Sequence, residues 1–507
     1  MTSVLVIGAG IGGITTAARL AQQGFQVTVL EKCGQPGGRC GRLVQDGHVF
    51  DTGSTLFLMP EFYTRTFTEL GERIEDHLDL IRVDPTYHIH FHDGATLALT
   101  SDLNAMQAQL EAIEPGSFGG FLRYLNEGYH HYKLSIPNFV DRDFRSLFEF
   151  LSPKNLLLFL RLKVLEKHYD RMSKYFRDPR LKIAFTFQNM YMGLSPYEAP
   201  AIFSLMQYSE FADGIWFPMG GMYSVIEALT EIAEKRGVTF QYDSPVTQIE
   251  VDGRMATGVT LDGGRKLQAD IVVANSDLPY VYKELLPDDG TTSRLERKKY
   301  GCSTLMFYWG VDKQYPQLGP HNLFFAENLR QSFAPIFEDS AIPNDPHFYV
   351  YAPTRVDPSL APDGQDTLVV AIPVGCVSDL EPKDWTPTLR QMRKAVLQRL
   401  NEIGITDLGD HIKFEMNCTP HDWHRRFNLV KGSTHGLSHN LMQLGYFRPQ
   451  NRHNRYRNLY FVGSSTHPGT GLPTVLVSAR LVTERILQEA KVPQTAPIKT
   501  PLAISSD

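Results

Sequence analysis

Four consecutive apolar residues, Val4, Leu5, Val6 and Ile7, run straight into Gly8-Ala9-Gly10-Ile11-Gly12-Gly13, and Ile14, Ala17, Ala18 and Leu20 then follow at helical spacing. An unbroken apolar run suits a strand buried on both faces, and the later period suits a helix, so the order is strand, glycine turn, helix. A second strand over Gln26–Leu30 ends at Glu31. The far end repeats the pattern: residues 458–463 read as a short buried strand, residues 464–473 as a small-residue loop, and an amphipathic helix follows through Leu487. In between, residues 239–249 alternate in strand fashion with Val251, Val259 and Leu261 beyond them, and residues 269–275 form another buried strand. Residues 86–99 and 303–311 predict strands of a second sheet. Residues 101–235 read as mostly helical, with Met106, Leu110 and Ile113 at helical spacing and a longer run over 147–176.

The glycines have a chemistry. Gly8 permits a tight turn, Gly10 lets the backbone approach a pyrophosphate, and Gly13 allows helix to pack on strand, while the helix N-terminus offers unpaired N–H groups to an anion. Glu31 stands near the offset at which a carboxylate accepts hydrogen bonds from an adenosine ribose. The expectation is dinucleotide binding. Gly37-Gly38-Arg39, Arg42 and Phe50-Asp51-Thr52-Gly53 come next, and Trp216-Phe217-Pro218-Met219-Gly220-Gly221-Met222 and Phe447-Arg448-Pro449 lie further on.

Together with residues 460–473, these segments resemble the flavin-dependent amine oxidase and carotenoid desaturase superfamily, and within it the bacterial and fungal phytoene desaturases, whose closing motif YFVGxxTHPGxGxP is similar to Tyr460 through Pro473. The resemblance implies an α/β chain with a Rossmann-like FAD-binding domain of the glutathione-reductase type, interleaved with an α+β substrate domain and a helical lid. The expected division is an FAD-binding domain from 1–85, 238–285 and 445–490, a sheet-containing substrate domain from 86–100 and 286–444, a helical lid or membrane-associating region over 101–237, and a flexible tail over 491–507. FAD is the implied cofactor, and the C-terminal loop suits a flavin rather than a nicotinamide. The implied site comprises Gly8, Gly10, Gly13, Glu31, Lys32, Gly38, Arg39, Arg42, Val246, Gly463, Gly471, Leu472, Pro473 and Val475. A helix starting near Pro473 would turn its positive end to the electron-rich side of a reduced flavin. Polar assistance to proton loss is placed on Asp143 and Arg145, within Asp141-Arg142-Asp143-Phe144-Arg145, with a structural ion pair as the alternative.

Composition narrows the partners. The 507 residues are 42% hydrophobic and 21% charged, and the net charge of −6 provides no electrostatic drive toward nucleic acid. Cys33, Cys40, Cys302, Cys376 and Cys418 make neither a CxxC pair nor a zinc spacing, so free thiols in a reducing compartment are expected. His88, His90 and His92 alternate along one strand, but no carboxylate or cysteine spacing completes a metal site; His421, His424 and His435 read as loop or surface residues. No leader or transit segment is legible, and the greasiest run, 156–165, is interrupted by Arg161 and Lys163. That run permits an interfacial helix or a buried lid. The leading expectation is an FAD-dependent desaturase of phytoene or a related acyclic carotene or polyisoprenoid, cytoplasmic and peripheral on a membrane, with quinone or oxygen as electron acceptor. Another carotenoid or retinoid oxidoreductase or isomerase, or a non-catalytic prenyl-binding protein like the Rab GDP-dissociation inhibitors, are the alternatives.

Overall fold

The computed structural model describes residues 1–338, 341–377 and 384–491; the tail expected over 491–507 lies, past its first residue, outside the described residues. A five-stranded parallel sheet is assembled from distant segments in the order Leu459–Phe461, Ile271–Ala274, Ser3–Ile7, Gln26–Leu30, Thr239–Gln241. Alternation along these apolar strands sends residues to opposite faces. Val4, Val6, Val27, Val29 and Val273 pack with the helices Ile11–Gln22, Tyr223–Lys235 and Leu472–Ala490. Leu5, Ile7, Leu30 and Val272 pack instead against the three-stranded sheet Val246–Asp252, Met255–Leu261, Lys266–Gln268. A strand apolar at every position is what such double coverage requires.

A seven-stranded sheet follows the order Ile412–Cys418, Ser303–Val311, Asp366–Val374, Phe348–Tyr351, His321–Phe324, Tyr87–His90, Thr96–Leu99. Its pairings are antiparallel except between His321–Phe324 and Tyr87–His90. Leu305, Phe307, Trp309, Leu368 and Val370 bury one face against the helix Thr386–Glu402 through Met392, Val396 and Leu400. The other face, with Met306, Tyr308, Tyr351 and Val369, turns toward Phe50 and Trp423.

The run over 147–176 does not continue as a single element: it is divided into Leu147–Phe150, Pro153–Arg161, His168–Arg171 and a short 3-10 turn, Met172–Lys174. Pro153 sits at a helix start, where its missing N–H is harmless, and Lys163 adopts a left-handed φ of 54° that ends the next segment. Nor does the region 101–237 form one helical unit: Met222, Val225, Ile226, Leu229 and Ile232 belong to the core of the parallel sheet, because the apolar stripe of Tyr223–Lys235 packs on Ile11–Gln22.

Candidate functional site

The strand Ser3–Ile7 ends at Gly8, whose φ of +99° turns the chain sharply into the helix Ile11–Gln22. That helix has no side-chain cap and no acidic residue in its first turn, so its positive end is left uncompensated. A Cβ on Gly13 would lie 2.1 Å from Gly8 O, and one on Gly10 2.8 Å from Asn275 Oδ1. Glu31 is buried beneath the turn: Oε2 accepts from Ala9 N at 2.7 Å and Oε1 from Cys33 N at 2.9 Å. Its remaining lone pairs border a cavity of about 720 Å³. Lys32 Nζ donates to Arg425 O at 3.0 Å and Asn428 Oδ1 at 2.8 Å, tying a second loop to the same rim; partial burial depresses its pKa.

Gly8, Gly10, Glu31, Lys32, Gly38, Arg39, Val246, Gly463, Gly471, Leu472, Pro473 and Val475 all line this one cavity. Arg39 donates to Thr434 O and Ser464 Oγ, both at 2.8 Å, and burial lowers its pKa while the buried carboxylate of Asp277 opposes that shift. It thus brings a guanidinium to the cavity on neutral partners. Gly13 lies behind the turn as a packing residue. Arg42 lies off the cavity: the strand Arg42–Gln45 carries it to Glu227, at 2.8 Å, and over the ring of Tyr223.

Asp143 and Arg145 are likewise outside. Arg145 Nε pairs with Asp143 Oδ2 at 3.1 Å and its Nη2 donates to Gln488 at 2.7 Å, an ion pair set against the C-terminal helix. The adjacent Asp141 is structural, held by Arg480 at 2.6 Å and Arg65 at 3.0 Å in a buried network that joins separate helices. Asp143 and Arg145 are thus an ion pair away from the cavity lining, the structural alternative, with the Asp143 side chain 14% exposed and Phe144 buried between them.

The C-terminal loop is held from beneath. Arg448, 1% exposed, donates through Nε to Thr466 O at 2.9 Å, through Nη1 to Ser438 O at 3.0 Å and Gln443 O at 3.2 Å, and through Nη2 to Leu437 O at 3.0 Å and to Ser464 O. Burial pushes its pKa down to about 9. Ser465 Oγ donates to Asp277 at 2.6 Å, and Thr470 N to His439 Nε2 at 3.1 Å. The Leu472–Ala490 helix starts after Gly471 (φ 103°) with no acid in its first turn, so a second uncompensated helix N-terminus faces the cavity. His435, read as a loop or surface residue, is on a loop but lines the cavity, and burial holds its imidazole down to about 4.

Beyond this polar end the walls become apolar and aromatic: Leu56, Tyr87, Phe187, Tyr191, Phe325 and Tyr349 are representative, and the adjoining Leu58, Met190, Leu323, Phe333, His347 and Phe348 carry no formal charge at neutral pH, burial keeping His347 neutral. Sequence reasoning named none of these lining residues and missed the role of Asp51, which accepts from Met222 N at 3.0 Å and Tyr223 N at 3.2 Å and so anchors the Gly220-Gly221 turn. Burial raises the Asp51 carboxyl to about 6. All five cysteines are free, and Cys40 is pushed well above the thiol range by burial, which makes it an inert wall residue.

Two glycine-gated helix ends meeting on one cavity define a flavoprotein oxidoreductase, and residues 11–487 match the family model for flavin containing amine oxidoreductase. The chain belongs to that family. It is 46% identical over 486 residues to a zeta-carotene-forming phytoene desaturase of Myxococcus xanthus, covering 96% of this chain and 93% of that protein, and 43% identical to a phytoene desaturase of Phycomyces blakesleeanus, covering 95% and 85%. Among solved structures, it is similar in fold to putrescine oxidase bound to putrescine, with a TM-score of 0.63 at 14% identity over 97% of this chain and 98% of that one. A fatty acid isomerase from P. acnes shares the fold with a TM-score of 0.59 at 14% identity, covering 95% and 98%.

The cofactor of this enzyme is FAD, and the residues present fit it. Glu31 borders the cavity where it could accept from ribose hydroxyls, Gly8, Gly10 and Gly38 present bare backbone to the cavity for a diphosphate, Arg39 brings a cation to the same lining, and the N-terminus of Leu472–Ala490 supplies partial positive charge.

Proposed function

We propose that the protein is a carotenoid desaturase that introduces C=C bonds into phytoene or a related acyclic carotene at a membrane surface, passing electrons on to a quinone or to oxygen. One observation carries the reading: the dinucleotide end and the uncharged aromatic chamber are a single cavity. FAD, when bound, supplies an acceptor for a hydride equivalent. Gly8, Gly10, Glu31, Lys32, Gly38, Arg39 and Val246 would hold its nucleotide portion, and residues 463–475 would bed its ring. Tyr87, Phe187, Phe325, Phe348 and Tyr349 would orient the hydrocarbon and exclude water, and their ring faces suit positive charge developing along a polyene. Among the described chamber residues no side chain carries a formal charge, so positive charge there would be met by ring faces. Expression in a bacterium that accumulates phytoene tests the reading: coloured carotenes in the extract are expected, and unchanged phytoene in cells containing the FAD-loaded protein refutes it.

Membrane attachment rests on the segment over 147–165. Phe148 is 91% exposed, Leu165 79% and Leu160 66%, while Lys154, Arg161 and Lys163 flank them. No helix among the described residues is long and apolar enough to cross a membrane, so this patch would lie in the interface with its cations at the headgroups. Phe159 by contrast turns inward onto Phe139 and Phe150, with centroids 5.2 Å away in both cases. Replacing Phe148 and Leu160 together by Asp forfeits about 1.5 kcal/mol or more per side chain, so liposome binding is expected to fall about a hundredfold in flotation. Binding equal to the wild type places the membrane face elsewhere.

A further inference from the structure

Beside the chamber lies a carboxyl that the flavin site does not use. Glu210, on the helix Ser204–Ala212, is 1% exposed. The hydroxyl of Tyr191 donates toward its Oε2 at 3.3 Å and toward the hydroxyl oxygen of Tyr87 at 2.6 Å. Both tyrosines line the cavity. Glu210 Oε1 and the side-chain amide of Gln188, one turn before Tyr191 on the 3-10 helix Phe187–Met192, make no well-formed hydrogen bond, although Gln188 and Thr86 lie beside the carboxyl and, with Tyr191, oppose the rise of its pKa. Buried polar groups left this way are costly, and a carboxyl without a counter-cation more so. The groups that face it from the packed elements are Tyr87 and Thr86, Tyr191 and Gln188, and Tyr124 of the helix Ser117–Ser135, all uncharged at neutral pH.

Resting on the desaturase reading, we infer that Tyr87, Tyr191 and Glu210 form the proton-accepting relay of the reaction, with Tyr87 as the catalytic residue touching the substrate and Glu210, the acceptor, acting through Tyr191. A CH2–CH2 unit that becomes CH=CH loses one hydrogen with its bonding pair, which the FAD-dependent activity takes, and another as a proton, whose C–H electron pair becomes the new π bond. That proton moves to Tyr87 Oη as the Tyr87 proton moves to Tyr191 and the Tyr191 proton to the Glu210 carboxylate. The structure directs the single Tyr191 proton at both Tyr87 and Glu210; running in this direction requires Glu210 ionised and the Tyr87 hydroxyl turned to donate, because each phenol has one proton to give: Tyr87 then donates to Tyr191, and Tyr191 to Glu210. With Glu210 protonated the chain of donors reverses. Burial pushes the Glu210 carboxyl up to about 8, close to working pH, where a proton acceptor is most effective, and holds both phenols well above their ordinary value.

The test compares phytoene turnover across pH in the wild type, Glu210→Gln and Tyr191→Phe, with FAD content and melting temperature measured on each. The wild-type rate is expected to rise with pH through about 8. Both variants should retain FAD, fall at least about a hundredfold in kcat with little change in KM, and lose the rising limb. A readout independent of turnover is the infrared band of a protonated buried carboxyl, present in the wild type below that pH, absent in Glu210→Gln and shifted in Tyr191→Phe. A wild-type rate flat from neutral to alkaline pH, variants that keep rate and limb, or absence of the band overturns the relay. An FAD-loaded wild type that leaves phytoene unchanged overturns the desaturase reading itself. Because the wild-type profile and band need no variant, a failure of either variant to fold does not shield the inference.

Discussion

Replacing Arg448 by Met is expected to unseat the C-terminal loop and yield a protein largely stripped of FAD. One guanidinium satisfies five backbone carbonyls, at Leu437, Ser438, Gln443, Ser464 and Thr466, and thereby sets the 437–443 segment against the 464–466 turn. The Met stem fills much of the same volume but donates nothing. Each orphaned buried acceptor costs about 1–3 kcal/mol. Against this stands the relief of burying a charge, which is substantial, since burial alone takes this arginine down to about 9. Ser438 O keeps a second donor in Gln443 Nε2 at 3.1 Å, so with the charge relieved the net loss is expected at about 1–3 kcal/mol. Lys is not expected to rescue it, because an ammonium offers three donors from one point where the guanidinium spreads five across a plane. Thermal melts and flavin absorbance of the purified variant measure the effect. Arg452, paired with Glu489 at 2.7 Å and partly exposed, is the control, with an expected change within about 1 kcal/mol; a near-wild-type melt and full flavin content in Arg448→Met would refute the bracing role.

At the opposite end, Gly13→Ala is expected to open the nucleotide turn and weaken FAD binding about a hundredfold. The added Cβ would lie 2.1 Å from Gly8 O. Both sides of that contact are backbone, so no flexible side chain can yield. Gly8 is itself fixed at a φ of +99° and hydrogen-bonded through its N–H to Leu30 O at 2.8 Å. Relief therefore requires the helix Ile11–Gln22 to withdraw from the strand, and its N–H groups from the diphosphate. Overpacking of this sort costs about 1–3 kcal/mol, occasionally more, and the upper part of that range is a hundredfold in affinity. Titration of apoprotein with FAD provides the measurement. Gly119→Ala is the matched control: it is helical, its Cβ would meet only Arg123 Nη1 at 3.6 Å, and the change should be neutral or stabilising by up to about 1 kcal/mol. Equal FAD affinity in the two variants would mean that Gly13 packing does not position the cofactor.

What could be read along the chain was what the backbone itself dictates over short stretches. A strand, a glycine turn and a helix at each end are written in consecutive residues, because the positive φ at Gly8 and Gly471, the exclusion of a Cβ at Gly13 and the unbroken apolar character of Val4 through Ile7 are local demands. Glu31 was legible for the same reason: its distance from the glycines is fixed by one helix and one strand. The five-stranded sheet then brings both ends to one cavity.

The chamber and its polar edge could not be read this way. Tyr87, Tyr191, Glu210 and Tyr349 come from a hairpin strand, a 3-10 turn, a helix and another strand, and no period or spacing links them; only the pairing of Tyr87–His90 with His321–Phe324 and the packing of the helical region over that sheet bring them together. The stretch at 141–145 is ambiguous along the chain for the complementary reason. A run of alternating Asp and Arg states that charges exist but not which way the chain turns, and the turn was decided by Arg65 and Arg480, residues far away in sequence whose buried guanidinium groups claim Asp141. Sequence by itself therefore determined the cofactor-binding class, because that is encoded in local backbone geometry. Which side chains face the substrate was settled only by tertiary packing, because facing is a property of distant segments brought into contact.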